Sequence, residues 1–144
     1  QFERYETPAV IAMFDIDNFK IINDTKGHHA GDKAIVELVA LVRKNSRKSD
    51  LVFRLGGDEI MLLLRNITEQ DASALLEKIR LLVVENDTIG TTVSIGAAPL
   101  CPELSSGMWL KKTDQALYRA KENGRNQLVF SPSPSDELRA TVNG

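Results

Sequence analysis

The stretch Leu51-Val52-Phe53-Arg54-Leu55-Gly56-Gly57-Asp58-Glu59-Ile60-Met61-Leu62-Leu63-Leu64 sets two apolar segments around a charged, glycine-containing four-residue connection. Two β-forming runs joined in this way predict a β-hairpin with an exposed acidic tip. Glycine at the tip permits positive φ and leaves no Cβ between the backbone and a bulky ligand. Gly-Gly-Asp-Glu by itself says little, because Gly and Asp are favoured in hairpin turns for geometric reasons alone.

Upstream of the hairpin, Ile35, Leu38, Val39 and Val42 recur at helical spacing from Gly31 onward and lead into the basic segment Arg43 to Lys48. Before them, Ala9-Val10-Ile11-Ala12-Met13-Phe14 is too short for a core helix and reads as a strand buried on both faces, ending at Asp15. Downstream, Thr68 with Asp71 forms a capping-box-like start, and Leu75, Leu76, Ile79, Leu82 and Val83 continue a helix to about Glu85. Residues 91–98 are rich in β-branched side chains and predict a fourth strand closed by Pro99 and Pro102. Ser105 or Ser106 caps a last helix with inner face Leu110, Thr113, Leu117 and Ala120, and Gly124 stands where a left-handed C-terminal residue is favoured. Leu128-Val129-Phe130 supplies a final short strand. The order is β, two helices, β-hairpin, α, β, α, β, which predicts an α+β fold with helices against a mixed sheet.

Eighteen basic and twenty acidic residues among 144 give a formal charge of −2, which provides no broad field for a nucleic acid. The length fits one domain with an apolar core. One cysteine, Cys101, excludes an intramolecular disulfide framework and a multi-thiolate zinc site, and reads as a small buried or half-buried apolar residue. No apolar run approaches the ~20 residues of a membrane-spanning helix. The start at Gln1, without Met, leads us to expect a segment of a longer protein with a sensory region upstream. Residues 131–144 open with Ser-Pro-Ser-Pro-Ser and read as a flexible tail or linker, leaving 1–130 as the domain.

Asp15 and Asp17 fall at the end of the first strand, and Asp58 and Glu59 at the hairpin tip. If that strand pairs beside the hairpin, the carboxylates converge and repel, which a hard divalent cation relieves. Magnesium, taking one or two carboxylates together with substrate phosphates, suits such a cluster. The competing reading is ordinary solvated acids at loop tips. No P-loop, dinucleotide-binding glycine motif or His-Glu-x-x-His zinc motif occurs. His28 and His29 lack a third ligand and read as loop structure, while Trp109 and Tyr118 read as helix packing.

Arg54 to Ile60 resembles the signature hairpin of the GGDEF family, the bacterial diguanylate cyclases. Asp15-Ile16-Asp17-Asn18-Phe19-Lys20-Ile21-Ile22-Asn23-Asp24, with Gly27-His28 and Gly31-Asp32, resembles that family's first strand and following loop. Ser94-Ile95-Gly96 and the run from Tyr118 to Asn126 resemble two further blocks in the right order.

The resemblance implies a nucleotidyl-cyclase palm-like, ferredoxin-like fold with a mostly antiparallel central sheet. It also implies condensation of two GTP into cyclic di-GMP by a homodimer using Mg2+ or Mn2+, in the cytoplasm. Asp15, Asp58 and the Ile16 carbonyl are then expected at the metal, and Glu59 beside the ribose 3′-hydroxyl or at a second metal. Asn23 and Asp32 would read guanine, and Phe14, Phe19 and Lys20 would lie along ribose and phosphate, with Gly56 and Gly57 approaching the substrate. Lys121 and Arg125 would clamp the terminal phosphates, and Arg47 with Asp50 would form an inhibitory site for the product. Ile60 stands where the family has Phe, and the family's N-terminal wide-turn segment is missing. Two rivals stay open: a catalytically silent module that binds GTP or cyclic di-GMP and regulates a neighbour, and a cyclase forming a ring from one nucleotide.

Overall fold

The computed structural model describes residues 8–132. Nine elements follow in order: β1 (Ala9–Ile16), α1 (Phe19–Lys26), α2 (His28–Asn45), β2 (Leu51–Gly56), β3 (Glu59–Arg65), α3 (Glu69–Val84), β4 (Val93–Pro99), α4 (Ser106–Glu122) and β5 (Leu128–Phe130). The five strands form one sheet in the order β2-β3-β1-β4-β5, antiparallel throughout except for the parallel β4–β5 pair. The α+β fold with a mixed, mostly antiparallel sheet is the one expected from the element order.

Strand alternation divides the sheet's side chains between two faces. Val10, Ala12, Phe14 and Ile16 of β1 join Ile60, Leu62 and Leu64 of β3 and Val93, Ile95 and Ala97 of β4 in one buried cluster. Ile35, Leu38 and Val42 of α2 and Leu76, Ile79 and Val83 of α3 close it. Helix α4 packs against β4, β1 and β5. Gly96 makes that approach possible: a Cβ there would lie 2.1 Å from the Leu117 amide nitrogen and 2.5 Å from Leu117 Cα. Position 96 accommodates only glycine without moving the helix.

The caps form as the sequence predicts. The Thr68 side chain accepts from the Asp71 amide and that of Ser105 from the Met108 amide. Helix α4 ends in a Schellman-type closure, Arg125 N–H to Ala120 O and Gly124 N–H to Lys121 O, with Gly124 at φ +117°.

Several expectations need correction. Helix α2 starts at His28, so the histidines are exposed residues of its first turn and not loop, because the interruption between α1 and α2 is the single residue Gly27, φ +89°. The inner face of α4 is Thr113, Ala116, Leu117 and Ala120, while Leu110 is exposed. Trp109 packs and donates to the Ala98 carbonyl, but Tyr118 points outward, 63% exposed. The hairpin connection shrinks to Gly57 and Asp58, since both strands extend further than expected. Ser131 is buried and donates its N–H to Ala97 O, so the chain is still attached to the sheet there; the rest of the expected tail, 133–144, lies outside the described residues. Cys101 is half-buried, as expected. No helix among the described residues is long and apolar enough to cross a membrane.

Candidate active site

The antiparallel register of β1 and β3 sets Asp15 directly opposite Glu59, one residue from Asp58 at the hairpin turn. Acids more than forty positions apart in sequence thus meet at one end of the sheet. Asp15 and Asp58 line a cleft of about 450 Å³, together with Ile16, Phe19, Lys20 and Asn23 from the β1–α1 segment. Lys121 and Arg125, from the end of α4 and just beyond, line its other side.

The electrostatics follow from this crowding. Asp58 is pushed up to about 7, first by burial, then by a hydrogen bond and the charge of Asp15, with a backbone hydrogen bond and Lys121 opposing. Glu59 is also raised, by burial and by the charges of Asp15 and Asp114 of α4. Burial works against the charged form of Lys121, but its bond to Asp15 and the charges of Asp15, Asp58 and Glu59 hold its pKa above the ordinary value. Lys121 Nζ forms an ion pair with Asp15 Oδ2. The other oxygen, Asp15 Oδ1, is buried without a hydrogen-bond partner. A buried carboxylate oxygen left without a donor is costly, and a hard cation would satisfy it.

The expected four-acid cluster is smaller than the sequence suggested. Asp17 is committed to the protein: its carboxylate accepts from Thr92 Oγ1 and Ser94 Oγ, each at 2.6 Å, and from the Asn126 amide at 3.0 Å. Among the described residues no group of three or more His, Cys, Asp or Glu side chains is placed to hold a metal. Asp15 and Asp58 line the cleft beside Ile16, and two carboxylates would suit a cation that takes the rest of its ligands from phosphate and water.

The remaining predicted residues divide. Phe14 is fully buried in the core and does not face the cleft, because it alternates with Asp15 along β1. Asn23 lines the cleft and lies against α2 at Gly31, where a Cβ would come 2.0 Å from Asn23 Oδ1. Asp32, next to Gly31, is exposed on α2 and does not line the cleft. Gly56 and Gly57 take φ +146° and +49° at the exposed tip, where Arg54 donates to the Gly57 carbonyl from Nη2 at 2.7 Å and Nε at 3.1 Å. Sequence reasoning missed Asp114, whose charge reaches Glu59 from α4, and Ile21, which lines the cleft although 58% exposed. Neither carries a local signal, since both depend on how helices meet the sheet.

Arg47 and Asp50 lie apart from this cleft, beside a cavity of about 470 Å³ also lined by Arg43 and Lys48. They engage each other: Arg47 Nη2 and Nε donate to Asp50 Oδ1 and Oδ2 at 3.1 and 3.2 Å, and the Arg47 amide donates to Oδ2 at 2.8 Å. The Arg65 amide donates to Asp50 Oδ1 at 3.4 Å, and Arg47 also donates to the carbonyls of Arg65 and Asn66. Asp50's side chain is fully covered, whereas Arg47's is 48% exposed. The aspartate therefore buttresses the arginine.

A family model described as "Diguanylate cyclase, GGDEF domain" matches residues 1–127. Diguanylate cyclase A of Treponema denticola is 38% identical over 136 residues, covering 90% of this chain and 36% of that protein. Diguanylate cyclase DgcM of Escherichia coli is 41% identical over 122 residues, covering 83% of this chain and 30% of that protein. The chain thus spans about a third of the length of these curated relatives. Among solved structures, the GGDEF domain of DgcB from Caulobacter crescentus in complex with c-di-GMP superposes with a TM-score of 0.82 at 31% identity, over 88% of this chain and 80% of that one. The active GGEEF domain of a diguanylate cyclase from Vibrio cholerae gives 0.81 at 31% identity, over 88% and 85%.

Proposed function

The chain belongs to the GGDEF family of diguanylate cyclases, and from that premise we propose that it is a catalytic domain condensing two GTP into cyclic di-GMP. The observation that carries this reading is the meeting of Asp15 and Asp58 in one cleft with Lys121, where one Asp15 oxygen is buried without a partner. An anionic pair next to cations suits a metal-bound triphosphate.

In the proposed arrangement Asp15, Asp58 and the Ile16 carbonyl would hold Mg2+ or Mn2+. When bound, the cation supplies charge neutralisation on the phosphates and acidifies the attacking hydroxyl. Lys121 and Arg125 face the terminal phosphates, Phe19 and Lys20 the ribose and inner phosphates, and Asn23 reads the guanine edge. Asp32 reaches the same base from α2, and Gly56 and Gly57 leave the hairpin backbone open to the nucleotide. Glu59, opposite Asp15 in register, lies towards the 3′-hydroxyl.

Two protomers then face each other, each with one GTP. The 3′-hydroxyl of one nucleotide loses its proton to solvent as its oxygen bonds to the α-phosphorus of the other, the bond from that phosphorus to the oxygen bridging to the β-phosphate breaks, and pyrophosphate leaves. The reciprocal attack closes the ring and releases a second pyrophosphate. Arg47 and Asp50 form a product-feedback site, with the exposed guanidinium meeting the guanine acceptors and Asp50 holding it in place.

Incubating the protein with GTP and magnesium and separating the products tests this reading. Cyclic di-GMP with two pyrophosphates supports it. No turnover points to the silent binding module, and a cyclic mononucleotide points to single-nucleotide ring closure.

A further inference from the structure

Three consecutive residues after α4 have positive φ: Gly124 at +117°, Arg125 at +63° and Asn126 at +47°. Glycine adopts such angles freely, but consecutive left-handed Arg and Asn persist only where their surroundings fix them. The strained residue Arg125 is also the one that lines the cleft.

The Arg125 amide donates to Ala120 O and Gln127 Nε2 donates to Arg125 O, and two further contacts hold Asn126. Below it, the Asn126 amide donates to Asp17, itself anchored to β4 through Thr92 and Ser94. Beside it, Arg80 of α3 donates from Nη1 to Asn126 Oδ1 at 2.8 Å and to the Asn126 carbonyl at 3.3 Å. Arg80 is in turn held by Glu77, with Nε–Oε1 at 2.6 Å and Nη2–Oε2 at 2.9 Å. Its planar fork is thus oriented by Glu77 and applied to the segment where two consecutive non-glycine residues have positive φ.

Resting on the reading of Arg125 as a phosphate ligand, we propose that Arg80, which does not line the cleft, is a positioning residue for the triphosphate. By locking the Arg125–Asn126 turn it sets where the Arg125 guanidinium meets the terminal phosphate. A displacement of about 1 Å at such a contact is enough to weaken it severely. A brace that only ties α3 to the sheet would make no distinction between ligands with one phosphate and ligands with three.

The test measures binding of guanosine 5′-[α,β-methylene]triphosphate, which cannot release pyrophosphate, and of GMP, by calorimetry with magnesium present. Arg80→Ala is expected to weaken the triphosphate about tenfold while leaving GMP within about twofold, and Arg80→Lys, which keeps one donor, to fall between. Arg80→Ala combined with Arg125→Ala is expected to match Arg125→Ala alone, because both changes remove the same contact. Equal losses for both ligands, no loss, or additive losses would overturn the positioning role. Failure of the unaltered chain to bind the triphosphate would overturn the reading of the cleft as well, so the two failures are distinguishable. If Arg80→Ala does not fold by circular dichroism, Glu77→Ala, which frees Arg80 without removing it, is held to the same outcomes.

Discussion

Lys121 at the end of α4 is ion-paired with Asp15 at the end of β1, and the pair sits beside Asp58, whose carboxyl is raised to about 7. In the proposed site the ammonium and a cation would compete for one carboxylate. Lys121 would then compensate Asp15 without metal and turn towards phosphate when metal and nucleotide enter. Replacing Lys121 with Met should leave turnover impaired even at saturating magnesium. Metal-free stability should also fall, since Asp15 loses its partner; turnover at saturating GTP and urea midpoints without metal check the two parts.

Asp58 gives a pH dependence whose sign can be worked out. Its folded pKa of about 7 lies above the ordinary carboxylate value of 3.8, so the folded chain holds this proton more tightly than the unfolded one. Its contribution to metal-free stability is therefore greatest below about pH 4 and declines as pH rises to about 7. Asp58→Asn should remove that decline, seen as a flatter urea midpoint against pH than in the unaltered chain. With magnesium and GTP, turnover should rise over the same range as the carboxylate becomes free to bind metal.

Asp58→Ala and Glu59→Ala should each reduce cyclic di-GMP formation by about 10³-fold or more, because groups that manage charge at a transferring phosphate act at that scale. Purified variants with turnover like the unaltered chain would contradict the assignment.

Glycine-to-alanine changes separate structure from site. At Gly96 the new Cβ meets the Leu117 backbone at 2.1 Å, which cannot yield without moving α4, so a loss of about 3 kcal/mol is expected on urea denaturation. At Gly31 the nearest atom is Asn23 Oδ1 at 2.0 Å, the end of a flexible side chain, and helix propensity improves by about 1 kcal/mol. Stability should then hardly change. The KM for GTP should rise about tenfold as Asn23 is pushed from its place, the value of one hydrogen bond of about 1.4 kcal/mol.

Arg47→Ala should abolish inhibition by cyclic di-GMP while sparing turnover at low product. Asp50→Ala should be the more destabilising change, because it strips an acceptor from the Arg47 side chain and from the Arg47 and Arg65 amides together. Progress curves with added product and thermal melts separate the two effects.

Much of this was legible in the residues. The hairpin, the caps at Thr68 and Ser105, the C-terminal glycine of α4 and every element except α1, which falls in the segment quoted as the loop after the first strand, follow from local pattern and turn chemistry. The place of the Phe14 side chain in the core was legible from sequence, since strand alternation sends it to the face opposite Asp15. The exposure of Leu110 and Tyr118 could not be seen in the same way, because helical spacing leaves a range of faces and only the packed sheet selects one. Asp17 looked equivalent to Asp15, two residues away on the same face. What separates them is the set of partners β4 and the post-α4 turn bring to Asp17.

Sequence by itself determined which segments become strands and helices, and which acids stand at their ends, because those choices rest on neighbours within a few positions. Tertiary structure alone decided which acids remain free: Asp15 keeps an unpartnered oxygen, Asp17 is consumed by donors from 75 or more positions away, and Asp50 is buried beneath its own arginine. The physical reason is that hydrogen bonds and charge act through space over a few ångströms, and the sheet register, not the chain, sets which groups come that close.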